Sequence, residues 1–144
     1  MHSILVVEDD EQLREVFLHS LSTQYQVYVA ADSREALNEF RRHADQIDVL
    51  VIDVGLPHVN GWELAATFEG VRPGIKCLMI SGHLDSCPSH DPSPSSKVWF
   101  LAKPFSVAEL MATVAEILAW PSVLVSKATA IVKDGRSPSG IAER

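Results

Sequence analysis

The chain has too few cysteines to be held together by them: there are two in 144 residues. Cys77 sits in an apolar run and Cys87 in a polar loop, with no C-x-x-C pair and no Cys/His spacing. That excludes a disulfide framework, a zinc site and a dithiol redox centre, and both residues read as unpaired thiols. Positive charge is also scarce. Twelve Lys and Arg stand against nineteen Asp and Glu, for a net charge of −7, and the basic residues form no cluster. Neutralised phosphates supply most of the affinity for nucleic acid, so neither nucleic acid nor an anionic membrane is expected as partner, whereas a cation is attracted. Long hydrophobic runs are missing too. The opening ILVV is too short for a signal-peptide core or a membrane span, and the cytoplasm is the expected location.

What remains is an ordinary globular composition, 47% hydrophobic and 22% charged, in a length that suits one domain. Five apolar runs alternate with amphipathic segments: Ile4–Val7, Val27–Ala30, Val49–Ile52, Cys77–Ile80 and Val98–Leu101. Continuous β-branched runs suit strands buried on both faces, and this alternation means βα units, a parallel sheet and right-handed crossovers. After Asp10, a candidate N-cap, Leu13, Val16, Phe17 and Leu21 recur at helical spacing. Asp32 and Glu35 have the spacing of a capping box, followed by Ala36, Leu37, Phe40 and Ala44 on one face. Trp62, Ala65 and Phe68 mark a third helix after Gly61. Ser106 caps a last one with Val107, Leu110, Met111, Val114, Ile117 and Leu118 inward, closed by Pro121. Trp62 and Trp99 read as packing residues.

Regular alternation also requires a helix over Leu84 to Lys97. Pro88, Pro92 and Pro94 each lack an N–H there, and a proline in a helix interior costs about 3 kcal/mol, so that helix is expected to be irregular or missing. Residues 1–120 form the expected domain and 121–144 a tail or linker, too short for a further domain.

The strand ends carry the chemistry. Glu8, Asp9 and Asp10 follow the first run, Asp53 ends the third, Ser81 and Gly82 follow the fourth, and Lys103 and Pro104 stand just past the fifth. Each alone has an ordinary explanation: acids favour helix N-termini, and Ser–Gly or Asp before Gly and Pro is turn chemistry. Their joint placement is harder to explain that way, because the carboxyl ends of parallel strands converge on one crevice. Acids gathered there repel one another unless they share a cation, and hard oxygen ligands with room for water match Mg²⁺. Lys103 adds a positive charge for an anion beside that metal, Ser81 a hydroxyl donor, and Gly82 allows close backbone approach. The arrangement suits phosphoryl transfer with Asp53 as nucleophile.

In ILVVEDD, DVLVIDVGLPHVNGWEL, CLMISGH and FLAKPF, from about Ser3 to Leu118, the chain resembles the receiver domain of two-component response regulators. The resemblance implies a flavodoxin-like (βα)₅ fold with strand order 2-1-3-4-5. It implies Asp53 as phosphoacceptor, Glu8 and Asp9 as the acidic pair, and the Gly55 carbonyl as a metal ligand. It further implies Ser81 as the phosphate-sensing hydroxyl, Lys103 as the partner lysine and Phe100 as the aromatic switch. Mg²⁺ is the implied cofactor, and a histidine kinase or phosphotransfer protein the implied donor. LMISGH and FLAKPF lean toward the hybrid histidine kinase lineage.

Some positions depart from the family pattern. Gly55 puts no side chain over the acyl phosphate, and His83 takes the other position that tunes hydrolysis. Two rival functions fit less well. A Mg²⁺-dependent phosphatase of the haloacid-dehalogenase type needs a second Asp where Gly55 stands, and a purely adaptor receiver has no need of Asp9, Asp53 and Lys103 together. No turnover of an external substrate is expected.

Overall fold

Each apolar run is the centre of a strand in the computed structural model, which describes residues 1–57, 59–82 and 97–120. In chain order the elements are β1 (Ser3–Val7), α1 (Glu11–Leu21), β2 (Gln26–Ala30), α2 (Ser33–Arg42), β3 (Ile47–Asp53), α3 (Gly61–Val71), β4 (Lys76–Ser81), β5 (Val98–Ala102) and α4 (Val107–Ala119). All neighbouring strands run parallel, in the order β2-β1-β3-β4-β5. This is the flavodoxin-like order that the resemblance implies. Residues 84–96 of the segment expected to lack a regular helix, with His83, His58, Cys87 and 121–144, lie outside the described residues. Among the described helices none is long and apolar enough to cross a membrane.

The strands show no polar alternation because both faces of the sheet are covered. Leu5, Val7, Leu50, Ile52 and Met79 turn to one side, with Ala36 and Phe40 of α2 and Leu64 and Phe68 of α3. Ile4, Val6, Val49, Val51, Leu78 and Ile80 turn to the other, with Phe17 and Leu21 of α1 and Leu110, Val114 and Ile117 of α4. Cys77 is buried and unpaired, and burial pushes its thiol up to about 12, which leaves it a packing residue.

Local signals start the helices. The Asp10 carboxylate accepts from Gln12 N at 2.9 Å and Leu13 N at 3.3 Å. Ser106 and Glu109 form a full capping box. At α2 the expected reciprocal pair is displaced: Asp32 accepts from Glu35 N, but Glu35 accepts from Ala31 N, one residue further out than the cap. Val107, expected inward, is 48% exposed, and Val16, on the helical spacing of α1, is 41% exposed. A helical period identifies a face, whereas burial needs another element opposite that particular turn.

Gly61 opens α3 for a reason that its sequence neighbours do not show. A Cβ there would lie 2.6 Å from the Asp53 carbonyl oxygen and 2.8 Å from Val54 Cα, both backbone atoms that cannot swing aside. The Gly61 N–H also donates to the Val54 carbonyl at 3.0 Å, locking the start of α3 onto the end of β3. In a helix, Ala would gain about 1 kcal/mol over Gly, but overpacking costs about 1–3 kcal/mol, and here it presses on rigid backbone. Gly61→Ala is therefore expected to lower stability by about 2 kcal/mol in denaturant melts. A variant as stable as wild type would show that this contact relaxes freely.

Candidate functional site

With β1 next to β3, the loop after β1 lies beside the end of β3, while β4 and β5 close the other side. The chain leaves β1 outward to β2 and returns inward to β3, so the β1/β3 boundary is the point where crossovers diverge, the usual ligand crevice of such sheets. Backbone hydrogen bonds fix the loops around it: Glu8 N to Ala30 O at 3.0 Å, Val54 N to Ile80 O at 2.9 Å and Lys103 N to Ser81 O at 2.8 Å.

Glu8, Asp9 and Asp53 each bring a carboxylate oxygen to within 4.8 Å of the others. Asp53 is buried rather than at the rim. Its Oδ1 accepts from Gly55 N at 3.0 Å, and its Oδ2 faces Lys103 Nζ at 3.4 Å. The same ammonium stands 3.8 Å from Glu8 Oε1. Glu8 is 1% exposed, its Oε2 accepts from Asp10 N at 3.1 Å, and its buried Oε1 has no hydrogen-bond partner. Burial, reinforced by the Asp53 charge and only partly opposed by the Asp10 N–H and the Lys103 ammonium, pushes the Glu8 carboxyl up to about 8.

A buried, under-satisfied carboxylate beside two other acids is a site short of positive charge. That deficit, with an all-oxygen donor set open on the Asp9 side, fits a hard divalent cation. Asp10, by contrast, caps α1 with its carboxylate and is not one of the three acids gathered here, so the helix-terminus explanation holds for Asp10 and fails for Glu8.

The other expected residues fall around the same crevice. Ser81 is buried at the end of β4, and Gly82 follows it, exposed. Gly55 is exposed in the turn after β3, and a Cβ there would meet Asp53 Oδ1 at 3.8 Å, an ordinary contact. Phe100 lies on β5, 39% exposed. The Lys103–Pro104 peptide is cis.

Arg14 was not singled out from the sequence, and Gly61 and Trp62 were read only as a turn residue and a packing residue. Arg14, one turn into α1, donates to the carbonyls of Glu8 at 2.9 Å and Asp9 at 3.5 Å and so steadies the acidic loop. Gly61 provides the close approach to Asp53. Trp62 is half-buried packing as expected, but its contact is the ring of Phe100. A glycine inside a helix start is a usable signal for the second of these. Arg14 and Trp62 carry none, because their roles exist only across elements.

Residues 4–115 match the family model of the response regulator receiver domain. The chain is 32% identical over 117 residues to the sensor kinase CckA of Brucella abortus, covering 81% of this chain and 12% of that protein. It is 32% identical over 116 residues to the response regulator MprA of Mycobacterium tuberculosis, covering 80% and 50%. The chain thus spans half or less of the length of these relatives. Among solved structures, the receiver domain from the hybrid histidine kinase CckA superposes with a TM-score of 0.68 at 32% identity, covering 81% of this chain and 98% of that one. The chemotaxis response regulator CheY4 of Vibrio cholerae does so with 0.68 at 27% identity, covering 81% and 98%.

Proposed function

The chain belongs to the response regulator receiver domain family of two-component signalling, and on that premise we propose that Asp53 accepts a phosphoryl group and that the domain reports its arrival on a partner-binding surface. The observation that carries this reading is the convergence on Asp53: Glu8 and Asp9 on one side, and the Lys103 ammonium 3.4 Å away on the other.

Glu8, Asp9, Asp53 and the Gly55 carbonyl would hold Mg²⁺, which when bound offsets the charge of the phosphoryl oxygens. The Gly55 N–H holds Asp53 Oδ1, leaving Oδ2 toward Lys103 to attack phosphorus. The O–P bond forms as the N–P bond of a phosphohistidine donor breaks, and the departing imidazole takes up a proton. Lys103 is within reach of both the carboxylate and the incoming anion, and so compensates charge as the acyl phosphate forms. The Ser81 hydroxyl then donates to a phosphoryl oxygen, and Phe100 follows it inward from its exposed position. Gly55 leaves the phosphorus open to water, and with His83 it tunes hydrolysis.

The donor is a histidine kinase or a phosphotransfer protein. The domain works in the cytoplasm without binding nucleic acid or membrane, and 121–144 is a tail or linker beyond it. Beyond its own phosphorylation and dephosphorylation it turns over no substrate.

Mass spectrometry after incubation with acetyl phosphate and Mg²⁺ tests the reading. One phosphoryl group on the peptide containing Asp53 is expected, and none when Mg²⁺ is withheld. An unmodified chain under both conditions would leave the adaptor function instead.

A further inference from the structure

β5 sends successive aromatic rings to opposite faces of the sheet. Trp99 joins the α1/α4 side and meets Trp120 edge-on, with centroids 6.0 Å apart. Phe100 goes to the α3 side, where its ring lies 5.5 Å from that of Trp62 and tilted 48° to it. Trp62 follows Gly61, the residue pressed against the Asp53 carbonyl, so the indole is carried by the same tight junction that carries the nucleophile. Its body packs on the α2/α3-side core, yet its Nε1 is buried with no hydrogen-bond partner. A buried unpaired donor is costly, so the indole is not held there by its own polar group. Apolar and ring contacts hold it, and Phe100 is the ring it meets. Phe100 itself is poorly covered by the rest of the fold, at 39% exposure.

We propose that Trp62 is the positioning residue that holds Phe100 in its outward resting state and thereby sets the equilibrium of the switch. This rests on the reading of Phe100 as the switching ring. A tilted aromatic pair at this separation is strong enough to bias a two-state population by about two- to tenfold, not enough to lock it. The contact therefore works as an adjustable bias. By linkage, whatever favours the inward state must work against it, and removing it must tighten the binding of whatever selects that state.

Beryllofluoride, a mimic of the acyl phosphate, is the probe, with its affinity in the presence of Mg²⁺ read by fluorine NMR on the full chain. Trp62→Leu is expected to bind it about two- to tenfold more tightly, and Trp62→Phe, which keeps a ring, to stay close to wild type. In a Phe100→Ala background Trp62→Leu should have no further effect. A merely structural tryptophan would act the same in both backgrounds, so equal effects there, or an unchanged or weakened affinity in folded Trp62→Leu, overturn the proposal. If Trp62→Leu does not fold, the W99F/W120F variant leaves Trp62 as the sole indole. Its emission should change on saturation with beryllofluoride, and should not when Phe100→Ala is added. An unchanged emission with Phe100 present overturns the proposal equally. Failure of wild type to bind beryllofluoride at all would instead remove the phosphoacceptor reading, and the Trp62 proposal with it.

Discussion

Replacement of Asp53 by Asn is expected to abolish labelling by acetyl phosphate, a loss of at least about a thousandfold, because Asp53 Oδ2 is the carboxylate oxygen that Lys103 approaches most closely, at 3.4 Å against 3.8 Å for the buried Glu8. The amide keeps the shape and can still accept from the Gly55 N–H, now 3.0 Å from Asp53 Oδ1, but its oxygen carries no negative charge and is a poor nucleophile. Two effects on folding oppose each other. The substitution removes a negative charge that raises the Glu8 pKa, and it also removes the carboxylate that Lys103 faces at 3.4 Å. Lys103 keeps Glu8 as a partner at 3.8 Å, so the two nearly cancel and the melting temperature should move by no more than about 4 °C. A folded Asp53→Asn protein that still took up label at the wild-type rate would move the acceptor elsewhere. A strongly destabilised one would point to a structural carboxylate.

The second large effect expected is a pH-dependent stabilisation by Mg²⁺. Glu8 is raised in the folded chain to about 8 from an ordinary value of 4.5. Below the unfolded value both states hold the proton and Glu8 contributes no pH dependence. As pH rises from about 4.5 to about 8 the unfolded chain releases that proton first, so the metal-free protein loses stability across this window and levels off above it. A divalent cation at the cluster reverses the penalty by favouring ionised Glu8. At about a hundred times its Kd it stabilises by about 2.7 kcal/mol, or roughly 8 °C in melting temperature.

Protons compete for the same oxygens, so at a fixed Mg²⁺ concentration the gain should be larger at pH 8 than at pH 5.5. Glu8→Gln isolates the carboxyl: that variant should lose the part of the decline due to Glu8. Asp9→Ala should lose most of the Mg²⁺ gain, since Asp9 is the exposed acid of the cluster. A Mg²⁺ gain that is equal at both pH values, or that survives Asp9→Ala intact, would mean that the cation binds elsewhere.

Much of this molecule is legible in short stretches of chain. The β-branched runs at Ile4–Val7 and Val49–Ile52 became the cores of β1 and β3, and Asp10 and Ser106 cap the helices they precede, because strand formation and capping depend on residues a few positions apart. The polar residues that end the apolar runs were visible for the same reason, although Glu8, Asp53 and Ser81 prove to be buried there.

Position along the chain could mark Asp10 as the cap of α1, but it could not show that Glu8, two residues earlier, is buried in the crevice. Nor could it show that Val16 and Val107 face solvent, that Arg14 reaches back to the acidic loop, or that Trp62 meets Phe100. Those facts were decided by which elements pack together. Burial, contact and the resulting pKa depend on distances between residues far apart in the chain, and neither periodicity nor spacing encodes such distances.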